Sequence, residues 1–190
     1  ILIAVLFTIV NNSYVSSQIK NSANDGKYIY EFVENDPLNA RIYTLENGLK
    51  VYLTVNKNTP RIQTYVAVAT GGKNDPHDAQ GLSHYLEHMV FKGTDKYGTK
   101  DYEKEKPLLD TIIALYEKRR VVTDDAERKA IYHLIDSVSY LASEYAIANE
   151  YDKMVSSIGA QGTNAYTSSE QTVYVNDIPA NQLKKWLEIE

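Results

Sequence analysis

The chain has 190 residues, 43% of them hydrophobic and 24% charged, which is the composition of a globular protein with a real core. Its net charge of −5, with no compensating basic stretch, gives no basis for nucleic-acid binding. The absence of cysteine excludes disulfides, thiolate nucleophiles and cysteine zinc sites, so any transition metal must be held by histidine and carboxylate.

Tyrosine is over-used, at 16 against 3 Phe and 1 Trp, and it suits half-buried sheets and grooves where one end of the ring stays wet. From Ile1 to Val10 the sequence is almost wholly apolar, and small polar residues follow. Residues 1–17 read as the remnant of an export signal, too short for a membrane span, with a buried strand as the competing reading. With no initiator Met and no basic start, the chain is expected to be clipped at its front. The mature protein is expected to be exported, periplasmic or extracellular.

Residues 18–39 read as a polar linker (Gln18 to Gly26) and a leading strand from Tyr28. The run "RIYTLENGLKVYLTVN" predicts a hairpin turning at Asn47-Gly48. Ile62 to Thr70 predicts a third strand, ending at Gly71-Gly72. Next comes "GLSHYLEHMVFKGT", with helical spacing that puts Leu82, Leu86, Met89 and Val90 on one side. Asp101 to Glu117 predicts a helix with Leu109, Ile112, Ile113 and Tyr116 in register. Asp124 to Ile147 predicts another, with Ile131, Leu134, Ile135, Val138, Leu141, Ala142 and Tyr145 in register and Thr123 or Asp124 as N-cap. The two form an antiparallel helical hairpin. A short helix closed by Gly159 follows, then two strands around Ser168-Ser169. A final helix after Pro179 is still in pattern where the sequence stops, a second sign of truncation. The expected fold class is α+β: a mixed, mainly antiparallel sheet covered by helices, with the helical hairpin inserted.

The chemistry is concentrated in His84, Glu87 and His88. With about 100° per residue, His88 sits about 40° to one side of His84 and Glu87 about 60° to the other. Two imidazoles four residues apart can therefore face one metal, and Glu87 flanks them within reach of a water at that metal. The order His-x-x-Glu-His is the reverse of the common zinc-protease string, and it presents the same constellation with chain polarity inverted. The chemistry it implies is metal-assisted peptide hydrolysis, with Glu87 as general base and then acid. A surface helix with two histidines is the bland alternative. Of the other histidines, His77 reads as solvated loop and His133 lies beside an apolar stripe.

"GLSHYLEHMVFKGT" followed by "GTNAYTSSEQTVYV" resembles the pitrilysin/insulinase-type zinc metallopeptidases, the inverzincins, which include mitochondrial processing peptidases. The resemblance runs from about Ala40 to Glu190, apart from the hairpin. It implies that residues 40–190 are the N-terminal part of a first metallopeptidase domain, with an insertion at about 96–147. It implies one zinc held by His84 and His88, Glu87 as base, and Asn164, Ala165 and Thr167 on a strand that binds substrate by β-augmentation. The family's third ligand is a Glu on a later helix. Glu188 and Glu190 come too early for it and Glu170 lies in the wrong element, so the ligand is expected beyond residue 190 and the 190-residue piece alone is expected to be inactive. The implied partners are a peptide or unfolded-protein substrate and a second homologous half, in the same chain or in a partner subunit. The alternative function is a non-catalytic peptide-binding or scaffolding subunit of the same fold. Retention of His84, Glu87 and His88 argues against it.

Overall fold

The computed structural model describes residues 20–190, in two compact units divided between Thr59 and Pro60. The apolar run of residues 1–10 lies outside the described residues. The fold class is α+β, as the sequence pattern implies, and every pairing between the strands named below is antiparallel.

The first unit is a four-stranded sheet in the order β1 (Lys20–Asn24), β2 (Ile29–Val33), β3 (Arg41–Thr44), β4 (Lys50–Leu53). The Asn47-Gly48 turn forms as expected, with Gly48 at φ +87° and the Leu45 amide donating to Leu49 O at 2.9 Å. Strand β1 lies inside the stretch read as a linker. Its turn into β2 is made by Asp25 Oδ1, which accepts from the Lys27 and Tyr28 amides at 3.0 and 2.8 Å. Ile42 is buried, and the Tyr30 and Tyr43 rings meet at 5.5 Å with Arg41 stacked over Tyr30.

The second unit holds a three-stranded sheet with β7 (Thr172–Pro179) between β5 (Arg61–Val68) and β6 (Gln161–Thr167). Helices α4 (Glu150–Ser157) and α5 (Leu183–Ile189) pack near it, and Val155, Val173, Ile178 and Trp186 form the core. Helix α1 (Leu82–Val90) packs against β6 and β7. The expected apolar side of α1 is not its buried side: Leu82, Leu86, Met89 and Val90 are exposed, while Ser83 and Glu87 are buried. The reason is that both find hydrogen-bond partners, Ser83 in Asp75 of the loop before the helix and Glu87 in Thr167 of β6.

Helices α2 (Tyr102–Val121) and α3 (Asp125–Ser143) form the expected antiparallel hairpin and pack chiefly on one another. Asp124 is the N-cap of α3, accepting from the Glu127 amide at 2.8 Å. Ile131, Ile135 and Ala142 are buried, but Leu134 and Leu141 are exposed. On α2 the packed residues include Leu108, Leu109, Ile112 and Leu115, whereas Ile113 and Tyr116 face outward. No helix among the described residues is long and apolar enough to cross a membrane.

Candidate metal centre

Three hydrogen bonds fix α1 from its N-terminal side. Asp75, in the loop before the helix, accepts from the Gly81 amide at 2.7 Å, the Ser83 amide at 2.9 Å and the Ser83 hydroxyl at 2.6 Å. It serves donors that the helix itself leaves unpaired. The Ser83 hydroxyl first, then its amide, hold the Asp75 carboxyl below the usual range. That loop is docked in turn on the β6–β7 turn, since the Gly72 amide donates to Ser168 O and the Lys73 amide to Ser169 O, both at 2.9 Å.

So placed, α1 brings His84, Glu87 and His88 together, with one possible ligand atom from each lying within 4.8 Å of the others. The two Nε2 atoms are 3.1 Å apart, with ring centroids at 4.8 Å. Two nitrogens bound to one tetrahedral zinc at 2.0–2.1 Å would be about 3.3–3.4 Å apart, so the imidazoles stand nearly where such an ion requires them. Glu87 is 5% exposed. A carboxylate taken that far from water needs hydrogen bonds and nearby positive charge. The Thr167 hydroxyl donates to Glu87 Oε2. A cation between His84 and His88 would supply the charge. The residues present therefore fit a metal ion.

Around this group, Tyr174 has its phenol pKa raised by burial and, secondarily, by the negative charge of Glu87. Its ring lies 5.9 Å from that of Phe91. Along β6, Thr163, Ala165 and Thr167 are half-buried while Asn164 and Tyr166 are exposed, so the three residues expected to touch substrate divide between two faces. Ala165 and Thr167 lie on the less exposed face, and Asn164 lies on the other. Sequence reasoning named Thr167 but not its bond to Glu87, and it passed over Asp75. An Asp shortly before a helix, with a Ser in that helix's first turn, is the pattern that would have pointed to the latter.

The carboxylates weighed as a third ligand are engaged elsewhere. Glu170 pairs with Lys73 at 2.7 Å and Glu188 with Lys185 at 3.1 Å. Glu190 accepts from the Tyr151 hydroxyl at 2.6 Å and from Asn176 Nδ2 at 3.0 Å. His77 and His133 are exposed and lie outside the group.

The model of the family described as Insulinase (Peptidase family M16) matches residues 50–109 and 122–189. The chain belongs to the insulinase family. Among curated insulinase-family relatives, insulin-degrading enzyme of Drosophila melanogaster is 47% identical over 53 residues, 28% of this chain and 5% of that protein. The probable mitochondrial-processing peptidase subunit beta of Arabidopsis thaliana is 27% identical over 120 residues, 57% of this chain and 23% of that one. An uncharacterized zinc protease of Bacillus subtilis is 38% identical over 52 residues, 27% of this chain and 13% of that protein. The chain thus spans under a quarter of each of these relatives. A crystal structure of pitrilysin aligns with a TM-score of 0.49 and 17% identity, covering 90% of this chain and 13% of pitrilysin.

Proposed function

We propose that this chain carries the metal-binding helix of a zinc-dependent peptidase that hydrolyses peptide bonds. The observation that supports the reading best is the convergence of His84 and His88 at 3.1 Å beside the buried Glu87. Relatives named insulin-degrading enzyme and zinc protease agree with it. His84 and His88 would hold the ion, and a third ligand, expected to be a Glu, would come from beyond residue 190. Zinc, when bound, supplies a Lewis acid that polarises the scissile carbonyl and lowers the pKa of water.

The protein's own part is positional. Glu87 lies beside the histidines with Oε2 held by Thr167, and its carboxylate would take the proton of the attacking water and return it to the leaving amine. Strand β6, at the edge of the sheet, would bind an extended peptide through backbone hydrogen bonds, with residues 164, 165 and 167 alongside it. A location outside the cytoplasm is also proposed, on the sequence of residues 1–17 alone, and cell fractionation tests it.

The test is Glu87→Gln in the full-length protein. Zinc stoichiometry should stay at one per site while kcat for peptide cleavage falls roughly 10²–10⁴-fold. A variant that cleaves like its parent removes Glu87 from the chemistry. A full-length parent that binds no zinc removes the reading altogether.

A further inference from the structure

We propose that Thr167 is the positioning residue for the Glu87 carboxylate, tying the base to the strand on which substrate docks. The inference rests on the reading of Glu87 as general base.

One hydrogen bond aims the Thr167 hydroxyl, and one close contact packs beside it. The hydroxyl donates to Glu87 Oε2, and its oxygen lies 3.3 Å from Thr172 Oγ1. Thr172 is buried and gives its own proton to Thr70 O at 3.0 Å. Each hydroxyl carries one proton, so with Thr172 donating to Thr70 O and Thr167 donating to Glu87, no proton lies between the two threonine oxygens, and Glu87 is the acceptor that aims the Thr167 hydroxyl. The Thr167–Glu87 bond therefore joins the edge strand β6 to α1, with Thr172 of the central strand packed beside it and anchored on Thr70 O. Glu87 is joined to α1 by rotatable bonds. Holding Oε2 fixes which way the other oxygen faces, and that oxygen is left to meet water.

The backbone of the same residue points elsewhere. The Ser168 amide donates to Gln171 O at 2.8 Å, which makes these two a hydrogen-bonded pair. In an antiparallel ladder such pairs alternate with pairs whose N–H and C=O groups point away from the partner strand. Thr167 pairs with Thr172, and Ala165 with Tyr174, in the alternate positions. The peptide groups of Ala165 and Thr167 therefore face the unpaired edge of β6, because the sheet order β5-β7-β6 leaves no strand beyond it among the described residues. Thr167 offers its backbone to an incoming peptide and its side chain to the base. Removing the hydroxyl should then impair the chemical step and leave docking intact.

The experiment compares Thr167→Val, Thr167→Ala and Thr167→Ser in the zinc-loaded full-length protein, with Glu87→Gln as the reference. The probe is an extended fluorogenic peptide that the parent cleaves, and its Kd for the zinc-free protein is measured by anisotropy. For Thr167→Val, kcat should fall roughly 10–100-fold, the range expected when a catalytic group is misplaced. KM and the peptide Kd should stay within about twofold of the parent, and Ser should recover kcat to within roughly threefold. If Val misfolds, Ala carries the same comparison. A rise in KM and Kd with kcat unchanged would make the hydroxyl a substrate contact and overturn the proposal. So would three variants that all behave like the parent, or a Ser variant as slow as Val. Failure of the base assignment looks different: Glu87→Gln would then cleave like the parent whatever Thr167 does.

Discussion

A carboxylate with three donors on it is sensitive to acid in a way that can be signed in advance. Asp75 accepts from the Gly81 amide, the Ser83 amide and the Ser83 hydroxyl, and its pKa lies below the usual 3.8 for that reason. A lowered folded-state pKa means that the stabilisation is fully present above the unfolded value, near 3.9, and is lost as pH falls through the lower folded value. Asp75→Asn keeps the acceptor geometry on one side only and removes the charge. At neutral pH the variant should melt below its parent. The gap should close as pH is taken below about 4, where the parent also loses its carboxylate. Thermal unfolding of both proteins from pH 7 to pH 2.5 checks this. A gap that stays constant in acid would mean that the Asp75 charge does not hold the start of α1.

At the scale of elements, the loop of residues 71–75 matters because it lies on the β6–β7 turn and carries Asp75. Gly71 has an ordinary extended φ of −150°, so its need for glycine is one of space. A Cβ there would collide with Ser168 O and stand 2.7 and 2.8 Å from the Gln171 and Glu170 amides. Gly48 is the opposite case, with φ +87° and nothing within 4 Å of an added Cβ. Gly48→Ala should therefore lose only the left-handed penalty, roughly 1–2 kcal/mol. Gly71→Ala should lose roughly 2–4 kcal/mol and disturb α1 with it, since the backbone of the β6–β7 turn must move. Denaturant unfolding of the two variants ranks them, and the reverse order would refute the docking argument. Sequence pattern made the elements legible here, including the Asn47-Gly48 hairpin, the helix bearing His84 and His88, the helical hairpin and the β6–β7 pair. It did not make their faces legible. The apolar residues of α1 mark a side that the described residues leave exposed, because the helix turns Ser83 and Glu87 inward to hydrogen-bond partners. On α2, apolar residues lie around much of the circumference, so phase is set by packing on α3 and Ile113 and Tyr116 fall outside. Strand β1 has no apolar alternation to read, and only its backbone pairing with β2 defines it.

Within the unit from Pro60 to Glu190, the site and the helical hairpin have separate cores. Ile131, Ile135 and Ala142 are buried on α3 in the hairpin, whereas Val155, Val173, Ile178 and Trp186 belong to α4, β7 and α5. The hairpin is closed at its base by backbone bonds and by Lys100 Nζ, which donates to Glu144 O at 2.8 Å. Thr99 bridges Ala146, the Lys100 amide donates to Tyr145 O at 2.8 Å, and the Ile147 amide donates to Gly98 O at 2.8 Å. Chain entering at Lys100 and chain leaving at Tyr145 are already in hydrogen-bond contact, so a short Gly-Ser turn can replace residues 101–144 without stretching either. The family model matches most of the hairpin and leaves only residues 110–121, inside α2, unmatched, so what permits excision is the closure of the hairpin's base. Excision from the full-length protein should therefore preserve zinc stoichiometry and Glu87-dependent cleavage of a short peptide, because α1, β6 and β7 lose none of their mutual contacts. Loss of zinc in the excised protein would show that the hairpin supports the site. If the hairpin instead screens substrates by size, the excised protein should cleave unfolded proteins faster than its parent while its rate on short peptides is unchanged. Parallel assays on the two substrate classes separate a screening role from a supporting one.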